Sequence, residues 1–239
     1  MRSERQAPAR QHFTWLFDLD NTLHDASHSA FGFTSDAMSE FITTHLGLSA
    51  TDATALRQHY WQRYGATLLG LVRHHGIKAG HFLDETHRLP GLEQRLRCSA
   101  ADRAALSRLP GEKYVLTNAP RHYAMRVLDG LGLTRCFRGV ITIEDMVMFR
   151  QHRPKPDSRM LRHLLARLKR TAAQCVLVED TLSNQKAARR VGLRTVWMQA
   201  YLDVPSNPGR RVLAGRKPSY VCARIKSIRR LHSFAPFRR

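Results

Sequence analysis

The chain has few cysteines, no long apolar run and, from residue 205 onward, no acidic side chain. Cys98, Cys136, Cys175 and Cys222 stand far apart without a CxxC pair. That excludes a zinc ribbon or a disulfide-stapled scaffold and predicts free thiols in a reducing cytoplasm. No apolar stretch approaches the ~20 residues needed to cross a bilayer, so a membrane is not an expected partner. Residues 1–12 have a basic start but no apolar centre after it. They are expected to be a disordered leader rather than a secretion signal.

Acidic residues are scarce overall. Lys plus Arg number 39 against 19 Asp plus Glu, a formal charge of +20, and half of that excess falls in residues 205–239. The pattern predicts a solvated basic face with non-specific affinity for phosphates and nucleic acid, and a basic tail at 232–239. A total of 239 residues with 43% hydrophobic content allows one large domain, or one core domain with a smaller insert. Nothing in the pattern demands more than a monomer or homodimer.

Short apolar runs recur at 13–17, 113–118, 137–143, 175–180 and 193–198. Between them lie segments of helical spacing. Residues 120–131 place Tyr123, Val127, Leu128 and Leu131 on one side, and 157–170 place Met160, Leu161, Leu164, Leu165 and Leu168 likewise. The segment 182–191 runs into Gly192, a residue suited to a helix C-terminus. Residues 219–231 read as one more strand and a closing helix. Strands alternating with helices predict a doubly wound, mainly parallel Rossmann-like α/β sheet, built from 13–25 and 96–231.

Residues 26–95 break the alternation, with helical spacing throughout and no strand. One helix is expected to bury Phe33, Ala37, Phe41 and Ile42, and Trp61, Leu68 and Leu71 are expected in the core of the insert. An insert placed directly after the first strand predicts a helical cap over the strand's C-terminal end, where ligands of open α/β sheets bind.

The chemistry-bearing residues stand at strand ends. Asp18 and Asp20 in "FDLDNT" are two apart, so an extended backbone projects both from one face. Their repulsion is relieved by a divalent cation, and Mg²⁺ suits all-oxygen ligation. Thr117 and Asn118 in "LTN", Lys155 in "RPKP", and Glu179 and Asp180 in "VED" follow later strands. In a parallel sheet they share one rim, a set suited to phosphoryl transfer. Asp180-Thr181 is also expected to cap the following helix.

These four motifs, in this order, resemble the haloacid dehalogenase-like hydrolase superfamily over residues 13–231. Within it, "DLDNTLH", "TNA" and "EDTLSNQKAAR" look most like the pyrimidine 5′-nucleotidase branch. The resemblance implies that Asp18 is the nucleophile and Asp20 the general acid and base, with a backbone carbonyl on Mg²⁺. It implies metal ligation by Asp18, Asp20 and Asp180, with Glu179 assisting through water. Thr117 and Asn118 would hold the phosphoryl group, Lys155 would neutralise it, and Thr22 and Asn184 would support the site. The expected substrate is a small phosphorylated metabolite, foremost a nucleoside 5′-monophosphate, with sugar phosphate or phosphoglycolate as alternatives. A basic nucleic-acid-binding module on a phosphatase fold is the alternative from another class. Arg63 and Tyr64 in the insert, and Arg121 after "TNAP", are candidate substrate contacts. The thirteen histidines lack HExxH or Cys/His pairing, which argues against zinc.

Overall fold

A computed structural model describes residues 13–202 and 217–234; the expected leader and residues 235–239 of the tail lie outside them. Strand β1 (Thr14–Phe17) is buried along its whole length. It starts the parallel core with β2 (Glu112–Leu116) and β3 (Gly139–Ile141) on one side. A hairpin, β4 (Val147–Met148) and β5 (Gln151–His152), stands apart from that sheet. On the other side of β1 lie β6 (Cys175–Glu179), β7 (Arg194–Met198) and β8 (Ala223–Ile225). Among the described residues the order is β3-β2-β1-β6-β7-β8, all parallel.

A parallel sheet covered on both faces needs continuous apolar strands rather than alternating ones. Accordingly, Trp15 and Phe17 face one core cluster with Tyr123, Val127 and Leu128, while Leu16 faces another with Met160, Leu161 and Leu164. Tyr123, Val127 and Leu128 lie on the helix Arg121–Gly130, and the second trio on the helix Ser158–Arg167.

After β1 the chain is helical: α1 (Ala26–Ser29), α2 (Phe31–Leu46), α3 (Ala50–Tyr64), α4 (Thr67–His75), α5 (Ala79–Thr86) and α6 (Leu92–Arg95). The core elements resume with α7 (Ala100–Arg108), α8 (Arg121–Gly130), α9 (Ser158–Arg167) and α10 (Leu182–Val191). The closing helix expected near 231 is a 3₁₀ segment, Ile228–Ser233. The insertion has its own apolar cluster of Phe41, Ile42, Tyr60, Leu68, Leu71 and Phe82, into which Ile143 reaches from the turn after β3.

Three expected core residues of the insertion are not core: Ala37 is half-buried and outside that cluster, and Phe33 and Trp61 are exposed. Phe33 is 48% exposed and lies under the Arg95 guanidinium, 4.0 Å from the ring centroid. A cation–π contact satisfies that ring at the surface. Trp61 is 59% exposed, because α3 turns Tyr60 inward instead.

The turn into β2 depends on Gly111. Its φ is +96°, and a Cβ there would lie 2.5 Å from the Phe13 carbonyl oxygen. Gly111→Ala therefore combines strain with a backbone clash beside β1. We expect it to lower stability by about 2–3 kcal/mol, read as a fall in urea midpoint.

Candidate active site

Strand register assembles the site. Phe17 is level with Val115 of β2 and Val178 of β6, so the residues leaving the three central strands emerge at one rim. Asp18 follows β1 directly, its backbone N–H donating to the Val178 carbonyl at 2.9 Å. Glu179 ends β6 and Asp180 follows it. All three acids are buried, and each offers a carboxylate oxygen within 4.8 Å of the others'.

Lys155 reaches this group from the loop before α9. Its Nζ donates to Asp18 Oδ1 at 2.6 Å and to Glu179 Oε2 at 2.8 Å. Burial would lower the Lys155 pKa, but Asp18 and Glu179 reverse the effect and raise it. Burial raises Asp18, with Lys155 opposing and Asp180 and Asp20 reinforcing. Glu179 is pushed well above its ordinary value by burial and then by Asp18. Three carboxylates against one ammonium leave two negative charges unbalanced when all are ionised. A buried all-oxygen set with that imbalance fits a hard dication.

Asp20 stands apart from this group. Its Oδ1 accepts from Tyr123 Oη at 2.7 Å and lies 2.9 Å from His24 Nε2. Burial would raise its pKa, but His24 and Tyr123 outweigh burial and hold it below the ordinary value. Behind Tyr123 lies His87, with ring centroids 5.7 Å apart. Burial depresses the His87 pKa to about 4. The folded protein therefore keeps His87 neutral at pH values where the unfolded chain protonates it. Its stabilising contribution is present above about pH 6.5 and is lost as pH falls towards 4. We expect wild type to lose up to about 3 kcal/mol more than His87→Gln across that window, measured by urea unfolding.

The remaining candidates fall into two groups. Thr22 Oγ1 lies 3.4 Å from Asp18 Oδ2, and Thr117 is buried at the end of β2, its Oγ1 accepting from the Ala119 N–H. Asn184 is buried on the first turn of α10. Asn118 departs from expectation. Its side chain clamps the backbone of Lys155, Nδ2 donating to the carbonyl and Oδ1 accepting from the N–H, both at 2.9 Å. It thus positions the lysine loop, using one of the two amide N–H groups for that bond. Glu179 likewise has both oxygens engaged, by Lys155 and by the Thr181 N–H. Thr181 makes no side-chain cap to α10 and donates instead to Asp180 Oδ1 at 3.0 Å.

Arg121 turns away from the carboxylates to Asp145, at 2.5 Å, where it ties α8 to the turn after β3. Arg63 and Tyr64 end α3, next to Gly65, and a Cβ on Gly65 would lie 3.6 Å from the Pro156 ring. The α3–α4 turn therefore sits against the lysine loop. Tyr64 Oη also contacts His74 at 2.6 Å. His24 and Tyr123 were not expected at the site. The spacing of His24 four residues after Asp20 could have flagged it, whereas Tyr123 read only as a buried position on α8.

Comparison with known proteins agrees with this architecture. A family description of haloacid dehalogenase-like hydrolases matches residues 14–192. Phosphate metabolism protein 8 of Saccharomyces cerevisiae is 27% identical over 201 residues, 78% of this chain. The chain spans 60% of that protein's length in the match. Among solved structures, CbbY from Rhodobacter sphaeroides in complex with phosphate superposes with a TM-score of 0.61 at 19% identity, covering 92% of this chain and 96% of that one. YfnB from Bacillus subtilis, solved bound to magnesium, superposes at 0.57 with 18% identity, covering 93% and 97%. At such identities these two likenesses concern the fold alone. With the family match spanning most of the chain and the acidic strand ends gathered around Lys155, the protein belongs to the haloacid dehalogenase-like hydrolase family.

Proposed function

We propose that the chain is a Mg²⁺-dependent phosphomonoester hydrolase that works through an aspartyl-phosphate on Asp18. The observation that carries this reading is the buried trio Asp18, Glu179 and Asp180 with Lys155 between two of them. Mg²⁺ held by Asp18, Asp180 and the backbone carbonyl of Asp20, with Glu179 beside them, would neutralise charge on the transferring phosphoryl group.

The chain's own residues do the rest. Asp18 Oδ2, which the Thr22 hydroxyl approaches, attacks phosphorus while Lys155 holds Oδ1. The P–O bond to the leaving group breaks, and its oxygen takes a proton from Asp20. Asp20, now a carboxylate, removes a proton from the water that attacks the aspartyl-phosphate, and inorganic phosphate and free Asp18 result. His24 and Tyr123 favour the carboxylate form that the second step needs, while burial favours the protonated form that the first needs. In the family an aspartate two residues after the nucleophile goes with phosphate chemistry rather than dehalogenation, which supports the same choice.

For substrate, the reading is a nucleoside 5′-monophosphate. It is supported by the motif resemblance and by a guanidinium and a phenol, Arg63 and Tyr64, at the turn of the cap that abuts the lysine loop. The name of the yeast relative and the phosphate-bound neighbour favour phosphate chemistry in general. Phosphate release from CMP, UMP, AMP, 2-phosphoglycolate, glucose 6-phosphate and an aryl phosphate, each with Mg²⁺, tests the proposal. A kcat/KM for pyrimidine nucleotides at least about tenfold above the others supports it. A preference for phosphoglycolate or the sugar phosphate removes the nucleotide reading. No turnover of any ester removes the phosphatase reading.

A further inference from the structure

The helical cap carries a second cluster of metal-ligating side chains, remote in kind from the carboxylates at the rim. His45 lies in the last turn of α2, while His81 and Glu85 lie one turn apart on α5. Each offers one ligand atom within 4.8 Å of the other two. His45 and His81 are exposed and Glu85 half-buried, so an ion in water can reach them.

Three features set this cluster apart from an ordinary surface ion pair. First, the two imidazoles rest on one buried ring. His45 stacks on Phe41, centroids 3.9 Å apart and planes 12° from parallel, and His81 meets Phe41 edge-on at 5.4 Å. Phe41 in turn packs edge-on against Phe82, the neighbour of His81. The rings are therefore held before any ion arrives, which lowers the entropy lost on binding. Second, His45 Nδ1 lies 3.0 Å from the Phe41 carbonyl. That contact commits Nδ1 as the N–H and leaves Nε2 with its lone pair for a metal, the pairing that orients metal-binding histidines. Third, His81 Nε2 and Glu85 Oε1 are 2.9 Å apart, close to the separation of two ligands on one small ion. Other histidines of the insertion have their near partners elsewhere: His74 has the Tyr64 hydroxyl, His75 that of Tyr60, and His87 that of Thr86.

We propose that His45, His81 and Glu85 form a binding site for a borderline transition-metal dication, foremost Zn²⁺, that ties α2 to α5. Two imidazole nitrogens and one carboxylate disfavour Mg²⁺, which wants oxygen, and suit Zn²⁺ or Co²⁺. Water completes the coordination, so the site is a moderate one rather than a four-ligand structural centre. The proposal stands independently of the phosphatase reading.

The test is Zn²⁺ and Co²⁺ binding to the full chain, with millimolar Mg²⁺ present to occupy hard oxygen sites. The measurements are competition against a chromophoric chelator and the visible absorption of Co²⁺. Wild type is expected to bind one equivalent of Zn²⁺ with micromolar affinity or better, to show a Co²⁺ spectrum of nitrogen-containing, low-coordination type, and to melt at higher temperature with Zn²⁺. His45→Ala and His81→Ala should each weaken that binding at least about tenfold, and Glu85→Gln should weaken it less. His75→Ala, on the neighbouring pair, should leave it unchanged. Three of the four side chains are exposed and Glu85 is half-buried, so none of the substitutions removes a core residue, and unchanged far-ultraviolet dichroism confirms folding. Equal Zn²⁺ affinity and stoichiometry in wild type and in the His45→Ala, His81→Ala double variant would overturn the proposal. So would the absence of any binding tighter than about 100 μM.

Discussion

Asp18→Asn is expected to fold normally and to hydrolyse phosphomonoesters at least about 10⁴-fold more slowly than wild type. The amide keeps the shape of the side chain but cannot attack phosphorus. The stability effect should run the other way. Asp18 is a buried carboxylate whose charged form is opposed by burial and by Asp180 and Asp20, with Lys155 alone compensating. Removing that charge leaves Lys155 paired with Glu179. In EDTA the variant should therefore melt at or above the wild-type temperature, while the rise that Mg²⁺ gives wild type should shrink. Activity lost with stability kept, measured by phosphate release and calorimetry on one preparation, separates a chemical role from a folding defect.

Lys155→Met should be harmful in both respects. Lys155 is 3% exposed and sits between Asp18 and Glu179. Its loss leaves two buried carboxylates facing each other with Asp180 beside them, which we expect to cost about 3–5 kcal/mol at pH 8. The cost should depend on pH. Already in wild type, Asp18 and Glu179 have pKa values raised above the ordinary 3.8 and 4.5, mainly by burial. Without the ammonium both rise further. The folded variant then holds protons that the unfolded chain has released, so its stability is present at low pH and falls as pH rises through the raised values. Urea midpoints of the variant should approach wild type near pH 5 and diverge towards pH 8. Its turnover should fall by at least about 10³-fold at every pH, because Lys155 is the basic side chain that, among the described residues, bonds the nucleophile's partner oxygen. A pH-independent loss of stability would contradict the buried-charge account.

How far the sequence foretold this arrangement depends on the range of the interaction. Asp18, Glu179 and Asp180 were placed together because a parallel sheet puts every strand's C-terminal end on one rim, and the register of β1 with β2 and β6 does so. Lys155 joined them from a loop with no periodicity, through the order of motifs rather than through any local rule. What escaped was the direction in which side chains point once several partners compete. Asn118 is engaged with the backbone of a residue 37 positions away, and Tyr123 with an acid 103 positions away. Neither partnership leaves a local trace. Arg121 follows a strand end as a substrate contact would, yet Asp145 draws it to the outer surface. In the insertion, spacing marked Phe33 and Trp61 for burial, but a short helix bundle has only one interior face. Arg95 over Phe33 shows how such a ring is settled outside it. The site also depends on α8 for orientation, because Tyr123 and Val127 on its buried face seat it against β1.

The central claim is that Asp18 itself carries the phosphoryl group between substrate and water. Acid quenching during steady turnover, borohydride reduction and tandem mass spectrometry of the digested protein test it most directly. The account predicts homoserine at position 18 in place of aspartate, in wild type with substrate and not without it. A phosphoryl group trapped on any other residue, or steady phosphate release by Asp18→Asn at the wild-type rate, would contradict it.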